Sequence, residues 1–133
     1  MNEGWFKKKM CKALRERGLI VDQTHTGMKR GVPDLLLCID GRCVWIELKF
    51  LKLTPKPDRT YTLGHPMTAP QSKWLRDWQK HGALCHLVVG FEDLSVVYID
   101  EFEPGPLKKI PTDRIVSLDD YISEGLCNTS AQK

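Results

Sequence analysis

No apolar run in this 133-residue chain approaches the roughly 20 residues needed to cross a bilayer. The N-terminus, Met-Asn-Glu-Gly-Trp-Phe-Lys-Lys-Lys, lacks the apolar segment of a secretory signal, so a soluble, intracellular protein is expected, with no membrane partner. Cysteine is scarce and odd in number: five residues (11, 38, 43, 85, 127), no Cys-x-x-Cys pair, most of them within apolar runs. That pattern speaks against a disulfide scaffold and against a zinc site, and leaves reduced thiols as the default. There is no internal repeat, low-complexity tract or linker-like boundary. With 41% hydrophobic residues the whole of 1–133 reads as one domain large enough to bury its own core.

Acidic residues are scarce in one part of the chain. Residues 1–90 hold 16 Lys and Arg against 8 Asp and Glu, whereas residues 91–124 hold 3 against 9, so the net charge of +3 hides a basic body and an acidic C-terminal segment. Such a body suits a polyanionic partner, but charge alone does not distinguish DNA, RNA or anionic lipid.

The most informative stretch is Gly31 to Phe50, GVPDLLLCIDGRCVWIELKF. Two apolar runs flank Asp40-Gly41-Arg42, a hairpin signal because Gly tolerates the positive φ of tight turns. Alternation along the second run places Val44, Ile46, Leu48 and Phe50 on one face and Cys43, Trp45, Glu47 and Lys49 on the other. In an antiparallel hairpin, Asp34 at the head of the first strand lies near Glu47 and Lys49 at the end of the second. Two carboxylates so close repel each other unless a proton or cation sits between them. Mg²⁺ takes one or two carboxylates, waters and substrate phosphate, and a neighbouring lysine can orient water and stabilise charge on a phosphate. The plainer alternative is a surface Glu–Lys pair with a turn aspartate.

Pro33-Asp34 followed by Glu47-Leu48-Lys49 on the next strand resembles the PD-(D/E)XK nuclease signature. The Gly31-Val32-Pro33-Asp34 context and the later Gln71 resemble its VRR-NUC branch of small viral and bacterial nucleases, itself similar to Holliday-junction resolvases. The resemblance spans about residues 3–90. It implies a restriction-endonuclease-like α/β fold, an αβββαβ core with a mixed sheet flanked by helices. It also implies a metal-dependent endonuclease that hydrolyses DNA phosphodiesters, with branched or four-way junctions as candidate substrates, leaving 5′-phosphate and 3′-hydroxyl ends. The implied roles are Asp34 and Glu47 as ligands of Mg²⁺ or Mn²⁺, the Leu48 carbonyl as a further ligand by analogy, Lys49 on the attacking water, and Gln71 and Glu3 in support. A homodimer and a phage or bacterial origin follow from the same resemblance. RNA as substrate, and a non-catalytic nucleic-acid-binding module on the same fold, stay open.

Along the chain, Glu3–Arg17 shows helical recurrence, with Asn2 as N-cap and Gly18 as stop. Glu3 also has an ordinary role there, a carboxylate facing the helix dipole. Lys7 and its neighbours make the helix basic. A strand is expected from Leu19, then a polar loop through His25, Thr26, Lys29 and Arg30. Thr26, Lys29, Arg30, Lys7 and, beyond the hairpin, Lys52 are the expected nucleic-acid contacts; His25 is a weaker catalytic candidate. Residues 51–70, with four prolines, read as an extended loop or insertion where the family pattern is shorter. Thr68-Ala69-Pro70-Gln71 is a capping box opening a helix to about His81, which by itself accounts for Gln71. Trp74 and Trp78 read as core, with a cost of several kcal/mol for truncating Trp78. Ala83–Gly90 and Leu94–Ile99 read as strands, and His86 as a satisfied core histidine. The expected core ends near residue 100, with a short helix around Leu118–Ile122 and a frayed tail from 126 to 133.

Overall fold

A computed structural model describes residues 1–24, 31–56 and 58–127. Its elements are α1 (Glu3–Glu16), β1 (Val21–Gln23), β2 (Leu35–Ile39), β3 (Arg42–Leu51), β4 (Tyr61–Met67), α2 (Ala69–Lys80), β5 (Leu84–Phe91), β6 (Ser95–Ile99), β7 (Leu107–Ile110), β8 (Val116–Ser117) and α3 (Leu118–Asp120). The last turn runs on into a π-helical segment, Tyr121–Cys127. Six strands form one mixed sheet in the order β1-β2-β3-β5-β6-β8; β4 and β7 pair separately. The expected mixed α/β architecture with flanking helices is the one observed.

The β2–β3 hairpin closes where the Asp-Gly step predicted. Asp40 and Gly41 both have positive φ, 50° and 78°, as a turn matched to right-handed strand twist requires. β3 lies at the centre of the sheet, antiparallel to β2 and parallel to β5, with β4 and α2 making the crossover. The alternation along β3 sorts two cores. Val44, Ile46 and Leu48 pack with Phe6, Met10 and Leu14 of α1. Trp45 packs with Leu75 of α2 and with Leu63, Met67, Leu87 and Val89. Gly90 permits the α1 contact: a Cβ there would lie 2.3 Å from the Phe6 ring.

Four expectations change. Strand β1 starts at Val21, and Ile20 is 82% exposed. The 51–70 connection is not a loop throughout, because β4 forms within it and pairs with β7. The core does not end near residue 100: Leu118, Tyr121, Ile122 and Leu126 are buried against the α1 side of the sheet, so Leu126 is core and not frayed. Trp78 stacks on Trp74 and meets Trp45 edge-on, yet remains 39% exposed. Its truncation should therefore cost less than the ~3–5 kcal/mol of a fully buried aromatic. His86, by contrast, is buried, and its Nδ1 lies 2.8 Å from the Tyr121 hydroxyl, the satisfied core histidine expected. Among the described residues no helix is long and apolar enough to cross a membrane.

Candidate active site

The hairpin register fixes the first two groups. Leu35 pairs with Ile46, so Asp34, one residue earlier, lies beside Glu47 and Leu48. Its Oδ2 accepts a hydrogen bond from the Leu48 N–H at 2.8 Å. Pro33 precedes it and is itself buried, and the Asp34 carbonyl accepts from the Thr24 N–H at 3.0 Å. Glu47 and Lys49 point to the α2 side of β3 and are only 3% and 8% exposed. That burial removes the plain reading of a solvated surface pair.

Glu47 is held from two directions. Lys49 Nζ is 3.4 Å from Glu47 Oε2, and Gln71 Nε2 donates to the same oxygen at 2.9 Å. Gln71 both caps α2 and contacts Glu47. Its Oε1 accepts from the Thr68 N–H at 2.8 Å and its N–H donates to Thr68 Oγ1, which is the capping box, while its amide nitrogen reaches the site. Gly31 lets the helix start come this close: its φ is +85°, and a Cβ there would lie 2.4 Å from the Pro70 carbonyl oxygen.

Helix α1 supplies the far side. Lys7 Nζ lies 4.0 Å from Asp34 Oδ1. Burial raises the Glu3 carboxyl above its ordinary value; the charges of Lys49, His65 and Lys7 oppose that and Asp34 reinforces it, so Glu3 sits within the field of the same cluster. Burial is also the main force on Glu47, pushing it up to about 8, with Asp34 adding to the rise and Lys49 opposing it. A carboxyl so placed holds a proton at neutral pH unless a cation replaces it.

The structure thus brings together Asp34, Glu47, Lys49, Gln71, Glu3 and Lys7, with the Leu48 backbone alongside. Lys52 is exposed just past the end of β3. Thr26, Lys29, Arg30 and His25 lie outside the described residues. Among the described residues no three of His, Cys, Asp and Glu are grouped as a self-sufficient metal cage. The donor set is instead two carboxylates, with Glu47 Oε2 committed to Gln71 and Lys49. Such a set fits a hard cation that keeps waters and awaits a substrate oxygen. His65 is the group sequence reasoning missed; its nearness to Glu3 depends on strand β4, for which the proline-rich segment carried no strand signal.

Comparison with known proteins gives fold but not family. The architecture is that of the resolvase and restriction-endonuclease-like class of α/β domains. A solved structure it resembles is that of Archaeoglobus fulgidus Hjc, a Holliday junction resolvase from an archaeal hyperthermophile, with a TM-score of 0.57, 15% identity, and coverage of 83% of this chain and 84% of that one. No family model matches the sequence, and no curated protein does.

Proposed function

We propose that this protein is a divalent-metal-dependent nuclease that hydrolyses phosphodiesters in DNA, of the small VRR-NUC-like kind, with branched or four-way-junction DNA as the preferred substrate. The observation that carries the reading is the buried Glu47 beside Asp34. Burying a second carboxyl next to a first works against folding, and a site that binds a cation explains why it is there.

In this reading Asp34 and Glu47 hold Mg²⁺ or Mn²⁺, with the Leu48 carbonyl as the further ligand. The metal, when bound, supplies Lewis-acid stabilisation of charge on the scissile phosphate. Lys49, fixed against Glu47, orients the attacking water and offers its ammonium to the phosphoryl oxygens. Gln71 holds Glu47 Oε2 in place, and Glu3 supports the site from the α1 side through its charge. Lys7, Lys52, Thr26, Lys29 and Arg30 hold the flanking phosphates. The products are 5′-phosphate and 3′-hydroxyl ends. A homodimer would present two such sites to opposing strands, and reduced thiols fit an intracellular setting in a phage or bacterium.

The test is cleavage of labelled single strand, duplex, flap, four-way junction and RNA with Mg²⁺, Mn²⁺ or EDTA, alongside Asp34→Ala. Metal-dependent cutting lost in the variant supports the reading, and the best substrate decides the branch. Binding without cutting in either metal would replace it with a non-catalytic nucleic-acid-binding module, and sedimentation reports the dimer.

A further inference from the structure

We propose that the β4–β7 ribbon is a backbone-gripping arm that holds DNA against the active site, a role that rests on the nuclease reading above. The ribbon draws its cations from two parts of the chain with opposite average charge. Residues 51–70 are basic. Residues 91–124 are strongly acidic, but two of their three cations, Lys108 and Lys109, fall on β7. Antiparallel pairing sets Lys109 across from Thr62 and Ile110 across from Tyr61. The Thr112 hydroxyl donates to the Arg59 carbonyl at 2.9 Å, fastening the other end of the insertion to the same strand. Lys56, Arg59, His65, Lys108 and Lys109 are all exposed on or beside the ribbon, and Lys52 is exposed at the start of the insertion. Asp58, also exposed, and Glu101 and Glu103, in the connector before β7, are its acidic neighbours.

The ribbon is firmly seated. Leu63, Met67 and Ile110 are buried beneath it, Tyr61 meets Phe91 edge-on at 6.0 Å, and the Tyr61 hydroxyl accepts from the Lys56 N–H at 2.9 Å. It is also tied to the chemistry. Met67 leads directly into Thr68, the cap of α2, and Gln71 in that cap hydrogen-bonds Glu47. His65 lies near enough for its charge to be felt at Glu3. A two-stranded ribbon with apolar residues beneath it, Lys109 paired with Thr62 on its outer face and Lys108 exposed beside them, suits a duplex groove and its phosphates. Surface charge that was merely uneven would leave Lys108 and Lys109 among the carboxylates of their own segment; β pairing instead carries them to the basic insertion.

The test is binding of a fluorescent duplex by anisotropy in EDTA, over a salt series, for the wild type and Lys108→Glu/Lys109→Glu. The expected result is an affinity about tenfold lower at low salt and a log–log salt slope shallower by about 2, one phosphate contact per lysine. Lysine acetylation footprinting of the wild type is independent of how the variant folds, and duplex should protect Lys108 and Lys109. Unchanged affinity and slope, or lysines equally acetylated with and without duplex, would overturn the arm while leaving a cutting enzyme intact. A wild type that neither binds nor cuts nucleic acid would remove the nuclease reading and the arm together.

Discussion

The burial of Glu47 and His86 predicts the shape of the stability–pH curve in the absence of metal. Glu47 ionises near 8 in the folded protein against an ordinary 4.5. Between those values the unfolded chain has released a proton that the folded chain keeps, so stability falls as pH rises, by about 1.4 kcal/mol per unit, and levels off above 8. The raised Glu3 carboxyl acts with the same sign. His86 has the opposite effect: burial lowers it to about 3 from 6.5, so the unfolded chain takes up a proton that the folded chain refuses. Stability from this group is complete above 6.5 and is lost as pH falls towards 3. The two slopes cancel between pH 4.5 and 6.5. The expected curve is therefore nearly flat there, tilted downward with pH by Glu3, with a loss of about 2 kcal/mol from 6.5 to 8 and a similar loss from 4.5 to 3.

Urea unfolding at half-unit pH steps in EDTA measures this directly. Glu47→Gln, which keeps shape and an acceptor for Gln71 and Lys49, should abolish most of the alkaline decline. His86→Asn, which retains a polar atom where Nδ1 meets the Tyr121 hydroxyl, should flatten the acid limb even though the smaller side chain lowers stability throughout. Adding Mn²⁺ at pH 8 should restore stability to the wild type but not to Glu47→Gln, because a ligand bound only by the folded state stabilises it. A wild type equally stable at pH 6.5 and 8, or a Glu47→Gln variant with the same decline, would refute the burial argument.

Other outcomes follow from single contacts. Lys49→Ala should lose turnover by at least about a hundredfold while keeping DNA affinity, measured by single-turnover cleavage and anisotropy; retained turnover would remove Lys49 from the chemistry. Thr68→Ala and Gln71→Ala should each cost about 1 kcal/mol in urea unfolding through the lost cap, but only Gln71→Ala should also slow cleavage, since only Gln71 touches Glu47. Gly90→Ala forces a methyl into the Phe6 ring and should destabilise by about 1–3 kcal/mol; an unchanged melting curve would contradict the α1 packing. Of the thiols, Cys38 is exposed while Cys11 and Cys85 are buried, and burial raises Cys85 to about 12. Cys38 should react first with a disulfide reagent, as peptide mapping would show.

What the sequence determined by itself was local. Asp40-Gly41 dictated the turn because few residues accept two successive positive φ values. Strict alternation then decided which β3 side chains share a face, and the hairpin register brought Asp34 to Glu47. The capping box located the start of α2 to the residue. Tertiary structure decided what depends on groups distant in sequence. Only packing shows that Glu47 and Lys49 are buried, that Gln71 reaches Glu47 across 24 residues, and that α1 delivers Lys7 and Glu3 to the hairpin. Strand β4 was illegible because its Gly64-His65-Pro66 carries weak strand propensity; its partner β7 lies 40 residues on and supplies the pairing. Leu118, Tyr121, Ile122 and Leu126 looked like the margin of a fading chain because their segment has no clear period. They are core because the α1 face of the sheet, extended by β6 and β8, leaves apolar surface that α1 alone does not cover, and burying it is what orders the π-helical turn.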